Sequence, residues 1–166
     1  MIDKSAYMLR ISQAGPVQLV VINFELILEF LTSAKDIASK ATSSEDMDSF
    51  RTEIQKAKNG LEQLIHSLNF DQPMAYEFYG IYDYLYKRLS DVHYTLDPAK
   101  ALEVVNEAIE ITETLLNGWQ ETAAKMPDEA PIAGEAPKVY SGLTYGRDGQ
   151  AQEYIDDGSD SRSYMA

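Results

Sequence analysis

Residues 43–68 run SSEDMDSFRTEIQKAKNGLEQLIHSL, and within them Met47, Phe50, Ile54, Ala57, Leu61, Leu64 and Leu68 recur at alternating intervals of three and four. That period gathers all seven on one stripe of an α-helix. A stripe so narrow is the seam of a helix packed in an antiparallel bundle. At the front of the run, Ser43 and Asp46 hold the positions of a capping box, in which each side chain satisfies a backbone amide the helix leaves unpaired. Gly60, inside the pattern, costs about 1 kcal/mol relative to alanine and permits a close contact with a neighbouring helix.

Outward from this segment the same signals recur. Leu102, Val105, Ile109, Thr112, Leu116, Trp119 and Ala123 form a second stripe of the same period. Pro16, Pro73 and Pro98 stand where helices begin, since proline lacks the N–H that a first helical residue would leave unpaired. Asp97 is placed to cap the helix at Pro98, and Gly15 to do so less well at Pro16. Breaks fall near residues 41–45, 69–72 and 96–97. Connections this short make sequence neighbours antiparallel neighbours in space. The expectation is an all-α chain: an antiparallel four-helix bundle with a short N-terminal helical arm, spanning 1–126 and followed by an acidic tail, 127–166.

The first and third helices carry more apolar surface than one buried stripe requires. Eleven of the 15 residues from Val17 to Leu31 are apolar. Leu19, Ile22, Leu26 and Phe30 form one row, and Val20, Phe24, Ile27 and Leu31 another. In the third helix Phe78, Ile81, Leu85, Leu89, Val92 and Leu96 occupy one side, with Tyr79, Tyr82, Tyr86 and His93 on an adjoining strip. Tyr76, Phe78, Tyr79, Tyr82, Tyr84 and Tyr86 fall within 11 residues. Tyrosine presents a large apolar face with a hydroxyl that stays wet, which suits surfaces both soluble and adhesive. The strip of Tyr79, Tyr82 and Tyr86 fits a groove and a core equally, while Tyr84 falls off both stripes and is expected to be partly exposed. A second sticky side on two helices is what a bundle shows when it offers a groove to another chain.

Charge and composition narrow the function. A net charge of −13 opposes binding to a phosphate backbone, and both parts are acidic, with 11 basic and 19 acidic residues in 1–126 against 3 and 8 in 127–166. No nucleic-acid partner is expected. Cysteine is absent, which removes disulfides and thiol chemistry and agrees with a cytoplasmic chain. Val17–Leu31 is too short and too polar, with Asn23, Glu25 and Glu29, to read as a membrane span. No cofactor is indicated. The chain has no phosphate-binding glycine loop, no H-E-x-x-H and no G-x-S-x-G. Glu62 and His66 stand four apart and no Glu-x-x-His repeat occurs, so a di-iron site gives way to a surface pair. Phosphotransfer by His66 lacks the neighbouring cation and small residue it needs. Glu25 and Glu29, one turn apart, read as solvated-edge residues rather than a catalytic pair. The expectation is a binding protein, not an enzyme; the alternative is a histidine phosphotransfer-like or other helical signalling adaptor.

Tyr82-Asp83-Tyr84-Leu85-Tyr86-Lys87-Arg88-Leu89 resembles the Tyr-Asp-Tyr-hydrophobic-Tyr-Arg-Arg-Leu run of the FliS-type flagellin export chaperones. Ala57 through Leu68 is similar to the family's second helix, Ala6-Tyr7 with Ile11 to its N-terminal arm, and Pro16-Val17-Gln18-Leu19 to the opening of its first long helix. Trp119 sits near the end of the last helix, as in the family. The resemblance covers about residues 6–124. Where the family carries a Leu-Tyr-[Asp/Asn]-Gly step, this chain has Asn23-Phe24-Glu25-Leu26, which removes a glycine and an apolar contact from the first helix. The resemblance implies a cytoplasmic chaperone that wraps the disordered C-terminal segment of flagellin, prevents premature polymerisation and delivers the subunit to the export apparatus. It implies flagellin contacts at Tyr7, Ile11, Leu19, Ile22, Phe24, Tyr82 and Tyr86. A monomer is expected, with the exposed rows also permitting a dimer.

Residues 127–166 hold 3 of the 6 prolines and 5 of the 9 glycines and no apolar repeat. Such a composition predicts a largely disordered acidic tail. Val139, Tyr140, Leu143 and Tyr145 interrupt it. They are read either as incidental aromatics or as a patch that folds back on the vacant groove and is displaced by flagellin.

Overall fold

The helices begin where the capping residues dictate. In this computed structural model, which describes residues 3–126, Asp3 accepts the Ala6 amide at 3.2 Å and opens α1, Lys4–Gln13. Gly15 and Pro16 start α2, Pro16–Lys40. Ser43 Oγ accepts the Asp46 amide at 3.2 Å, and Asp46 accepts the amides of Ser43 and Thr42 at 3.1 and 2.9 Å, so the capping box is complete ahead of α3, Ser44–His66. These donors hold the Asp46 carboxyl below its usual range. Asp97 accepts the Ala99 amide at 3.0 Å before α5, Pro98–Ala124. Only α4, Met74–Val92, departs from the expected start: Pro73 is its N-cap rather than its first residue, so the helix begins one residue later than anticipated. The tail, with Val139, Tyr140, Leu143 and Tyr145, lies outside the described residues.

α2 to α5 form a ring in which each helix packs against its sequence neighbour and α5 returns to α2. α2 has the most extensive contacts, with α3 and α5; α4 is held more lightly by the same two helices, and α1 lies against α2. Across the diagonal, α2 and α4 meet where the Phe24 ring packs edge-on to Tyr82, 5.9 Å between centroids. The core comprises Phe24, Ile27 and Leu31 of α2, Phe50, Ile54 and Leu61 of α3, Leu85 and Leu89 of α4, and Val104 and Val105 of α5. On α3 the predicted stripe is buried as far as Leu64, with Leu68 half-buried beyond the helix end.

Gly60 marks the tightest crossing. A Cβ there would sit 2.6 Å from Ile27 Cγ1 and 3.1 Å from Asn23 Oδ1. Asn23 donates its amide to the Gly60 carbonyl at 3.3 Å. The polar residue that interrupts α2 therefore spans the α2–α3 crossing, and the glycine that permits the approach lies on α3. On α5 the buried face is turned slightly from the expected stripe: Ala101, Val104 and Ala108 are buried, and Leu102 and Ile109 move to its edges. Alanines at these positions let α5 approach α2 closely. Thr112 stays on the buried face, its hydroxyl without a hydrogen-bond partner among the described residues.

By length and composition alone α2 is long and apolar enough to cross a membrane. Its 25 residues exceed the 15-residue run legible in the sequence. Here the helix serves as the centre of the bundle, burying Val21, Ile22, Phe24, Ile27, Leu31, Ala34 and Ala38.

Candidate functional site

Three sides of α4 meet three different environments. Ala75, Tyr82, Leu85, Leu89 and Val92 face the core. Tyr82 stacks on Phe78, 5.9 Å between centroids with 22° between planes, and Phe78 lies against Trp119 at 5.4 Å. Burial pushes the Tyr82 hydroxyl up to about 12, offset in part by a hydrogen bond from the Trp119 side chain. An aromatic chain from Phe24 through Tyr82 and Phe78 to Trp119 thus joins α2, α4 and α5.

On the α3 side, Tyr86 donates its hydroxyl to Glu62 at 3.3 Å, and the Lys58 ammonium sits 4.9 Å above its ring. Lys58 is buried, with Nζ 3.4 Å from Nδ1 of His93. Lysine can only donate, so Nδ1 accepts and the imidazole is neutral. Burial, then the charges of Lys58 and Arg51, hold His93 below the ordinary imidazole range. Arg51 also donates to the His93 carbonyl at 3.2 Å and covers the exposed Tyr94 ring at 5.1 Å. At the head of α4, Phe70 packs with Tyr76 at 5.0 Å and Tyr79 at 6.0 Å, yet Tyr76 remains 64% exposed and Met74 60%.

The α5 side is open. Gly80, Ile81 and Tyr84 of α4 face Ile111, Thr114 and Leu115 of α5 across a groove of about 680 Å³, with Glu77 and Glu110 at its rim. Nothing lies within 4 Å of the position a Cβ would take at Gly80. Tyr84 donates to Glu107, which also accepts from Arg88 at 3.0 Å and so links α4 to α5. These two donors lower the Glu107 carboxyl, and the shared proton raises Tyr84. The groove is shallow and lined mainly by apolar surface, and most of its lining residues are exposed.

A second surface forms where α1 lies against α2. Arg10 grips Glu25 with both terminal nitrogens, at 2.6 and 2.9 Å, and its guanidinium lies 5.4 Å from the Tyr7 ring centre. Burial and the neighbouring Glu25 raise the Tyr7 hydroxyl. Glu25 is thus the anchor of the arm rather than the solvated-edge residue expected from sequence, because α1 folds over this side of α2. Its side chain is 21% exposed.

Of the residues implied as flagellin contacts, Tyr7, Ile11, Leu19 and Tyr86 are half-buried and reach the surface. Ile22, Phe24 and Tyr82 lie inside at 3% exposure or less. The strip left open between groove and core divides: Tyr82 belongs to the core, Tyr79 is exposed, and Tyr86 bridges to α3. Tyr84 is exposed, as its position off the stripes predicted. Of the row on one side of the third helix, Leu85, Leu89 and Val92 are buried, while Ile81 and Leu96 are exposed. Sequence reasoning missed the α4–α5 groove because Ile81 fits the core period. The signal available was Gly80 beside it, a small residue that leaves room above the helix. His66 and Glu62 are both exposed, and Glu62 turns to Tyr86. Among the described residues no group of three or more His, Asp or Glu side chains could hold a metal ion.

Compared with individual curated proteins, the chain finds no match. The family described as "Flagellar protein FliS" matches residues 4–126. That match runs from the first residue of α1 to the last described residue, leaving no helix of the bundle outside it, and the chain belongs to the FliS family, a family of chaperones rather than enzymes.

Proposed function

We propose that this protein is the cytoplasmic chaperone of a flagellin, binding the subunit's disordered C-terminal segment, preventing premature polymerisation and assisting its export. The observation that carries the reading, beside family membership, is the α4–α5 groove with its apolar floor of Ile81, Tyr84, Ile111 and Leu115. An amphipathic segment that folds on binding lays its apolar face into such a groove. Its ordering cost keeps net affinity moderate, which favours later release at the export apparatus. A second docking surface is assigned to Tyr7, Ile11 and Leu19 at the α1–α2 face and Tyr86 at the α3–α4 edge. Ile22, Phe24 and Tyr82 support these surfaces from inside. α2 and α4 stand on a diagonal of the ring, so the two surfaces suit an extended segment wrapped around residues 1–126 better than a compact domain.

Calorimetric titration with a peptide from the C-terminus of the host's flagellin tests the assignment. Ile81→Asp or Leu115→Asp is expected to weaken binding at least about tenfold, or 1.4 kcal/mol, with the far-ultraviolet spectrum unchanged. Unaltered affinity in both variants removes the groove from the client's path, and no binding by the parent protein removes the function.

A further inference from the structure

Glu77 and Glu110 stand at the rim of the α4–α5 groove, and neither forms an ion pair among the described residues. Their neighbours differ: Asp83 is paired with Lys87 at 2.8 Å, and Glu107 with Arg88. An apolar floor beneath two unpaired carboxylates selects an occupant that is apolar in the middle and cationic at its ends. The chain itself contains such a sequence. Lys138-Val139-Tyr140-Ser141-Gly142-Leu143-Thr144-Tyr145-Gly146-Arg147 has a cation at each end and four large apolar or aromatic residues between them. No acidic residue occurs between Glu135 and Asp148, although residues 127–166 contain eight acids and only three basic residues, two of which are Lys138 and Arg147.

We infer that residues 138–147 are the intramolecular ligand of this groove, with Val139, Tyr140, Leu143 and Tyr145 on the floor of Ile81, Ile111 and Leu115 and with Lys138 and Arg147 against Glu77 and Glu110. The reach is adequate. Leu115 lies 11 residues before Met126 on or just beyond α5, which is about 16 Å at the helical rise. Eleven residues separate Met126 from Lys138, and a chain of that length has a root-mean-square span of about 18 Å as a coil. When linker span and site separation agree, the effective concentration of a tethered ligand is near its maximum, in the millimolar range or about that. A weak segment then fills the groove without an affinity that a client could not overcome. Docking covers Ile81 and Tyr84, which otherwise stand in water, and neutralises two of the rim charges. This goes beyond the chaperone assignment and stands whether or not flagellin uses the same groove.

The test uses the full chain. It has no cysteine, so Ser141→Cys gives a single site for a nitroxide label. The expected result is loss of most of the methyl NMR intensity of Ile81, Ile111 and Leu115, with Ile37 at the far end of α2 unaffected. The charge reversal Lys138→Glu/Arg147→Glu should restore the signals, and adding Glu77→Lys/Glu110→Lys should abolish them again. Uniform intensities, broadening centred on the α1–α2 face, or equal broadening when the label is carried only by an isotopically unlabelled copy would each overturn the inference. Added flagellin peptide that binds while the broadening persists leaves the docking intact and places the client elsewhere, which separates this outcome from failure of the chaperone reading.

Discussion

α2 and α4 share an excess of apolar side chains, and the bundle treats the two helices differently. α2 is covered by α3, by α5 and by the arm, and Glu25 on its outer side is taken up by Arg10. α4 is covered on its core side, while Met74, Tyr76, Tyr79, Ile81 and Tyr84 stay exposed on the others. The aliphatic and phenylalanine-rich helix became the centre, and the tyrosine-rich helix became the surface. Side-chain chemistry explains the division. A phenylalanine or isoleucine at an exposed site has only apolar surface to offer, whereas a tyrosine hydroxyl keeps one end hydrated. Apolar amount is therefore a poor guide to burial here, and chemistry sorts the two helices only in part: Tyr82 is sealed in the core while Ile81 and Met74 stand exposed.

The contrast is sharpest in stability. Phe24→Ala should destabilise the chain by about 3–5 kcal/mol, the usual range for deleting a buried aromatic. Ile81→Ala should stay within about 0.5 kcal/mol, as surface substitutions do. Urea denaturation measures both, and equal effects would erase the distinction between the helices. Next in size is Gly60→Ala, which drives a Cβ against Ile27 and is expected to cost about 1–3 kcal/mol, where alanine at Gly80 on α4 has open space and should be neutral or slightly stabilising.

Acidification acts on the α3–α4 edge. His93 is neutral when folded, its proton affinity lowered by burial, Lys58 and Arg51. Above an unfolded value of about 6.5 its contribution is fully present. As the pH falls from there towards the folded value, the unfolded chain takes up a proton that the native chain refuses, and stability declines by at most about 1.4 kcal/mol per pH unit. His93→Gln should flatten that interval of the pH–stability curve while leaving the acid limb, where Asp46 and Glu107 become protonated, in place. The smallest expected effect concerns the arm. Arg10→Gln removes a partly exposed ion pair, worth less than about 1 kcal/mol to global stability. Amide exchange in α1 should nevertheless accelerate while that of α2 does not. Unchanged exchange would show that the Arg10–Glu25 pair does not hold the arm.

The frame was legible because helix starts and seams are local. Ser43, Asp46 and Asp97 cap as their spacing implies, and the stripe from Met47 to Leu64 is buried as its period implies. The site was less so, because which side of a helix is left open depends on where its neighbours stand. Tyr82 and Tyr86 are separated by about one helical turn, yet one is sealed by Phe24, Phe78 and Trp119 while the other reaches Glu62. Glu25 could not be recognised as the anchor of the arm, since its partner lies 15 residues away on a separate helix. Ile81 follows the core period and still lines the groove between α4 and α5.

The chain's single tryptophan, Trp119, is half-buried between α5 and the aromatic pair Phe78 and Tyr82 of α4. Its position makes it a native optical probe of how α4 is seated. Its emission depends on the packing of Phe78 and Tyr82 around the indole, so a displacement of α4 that exposes the indole to water will shift its colour, without a label.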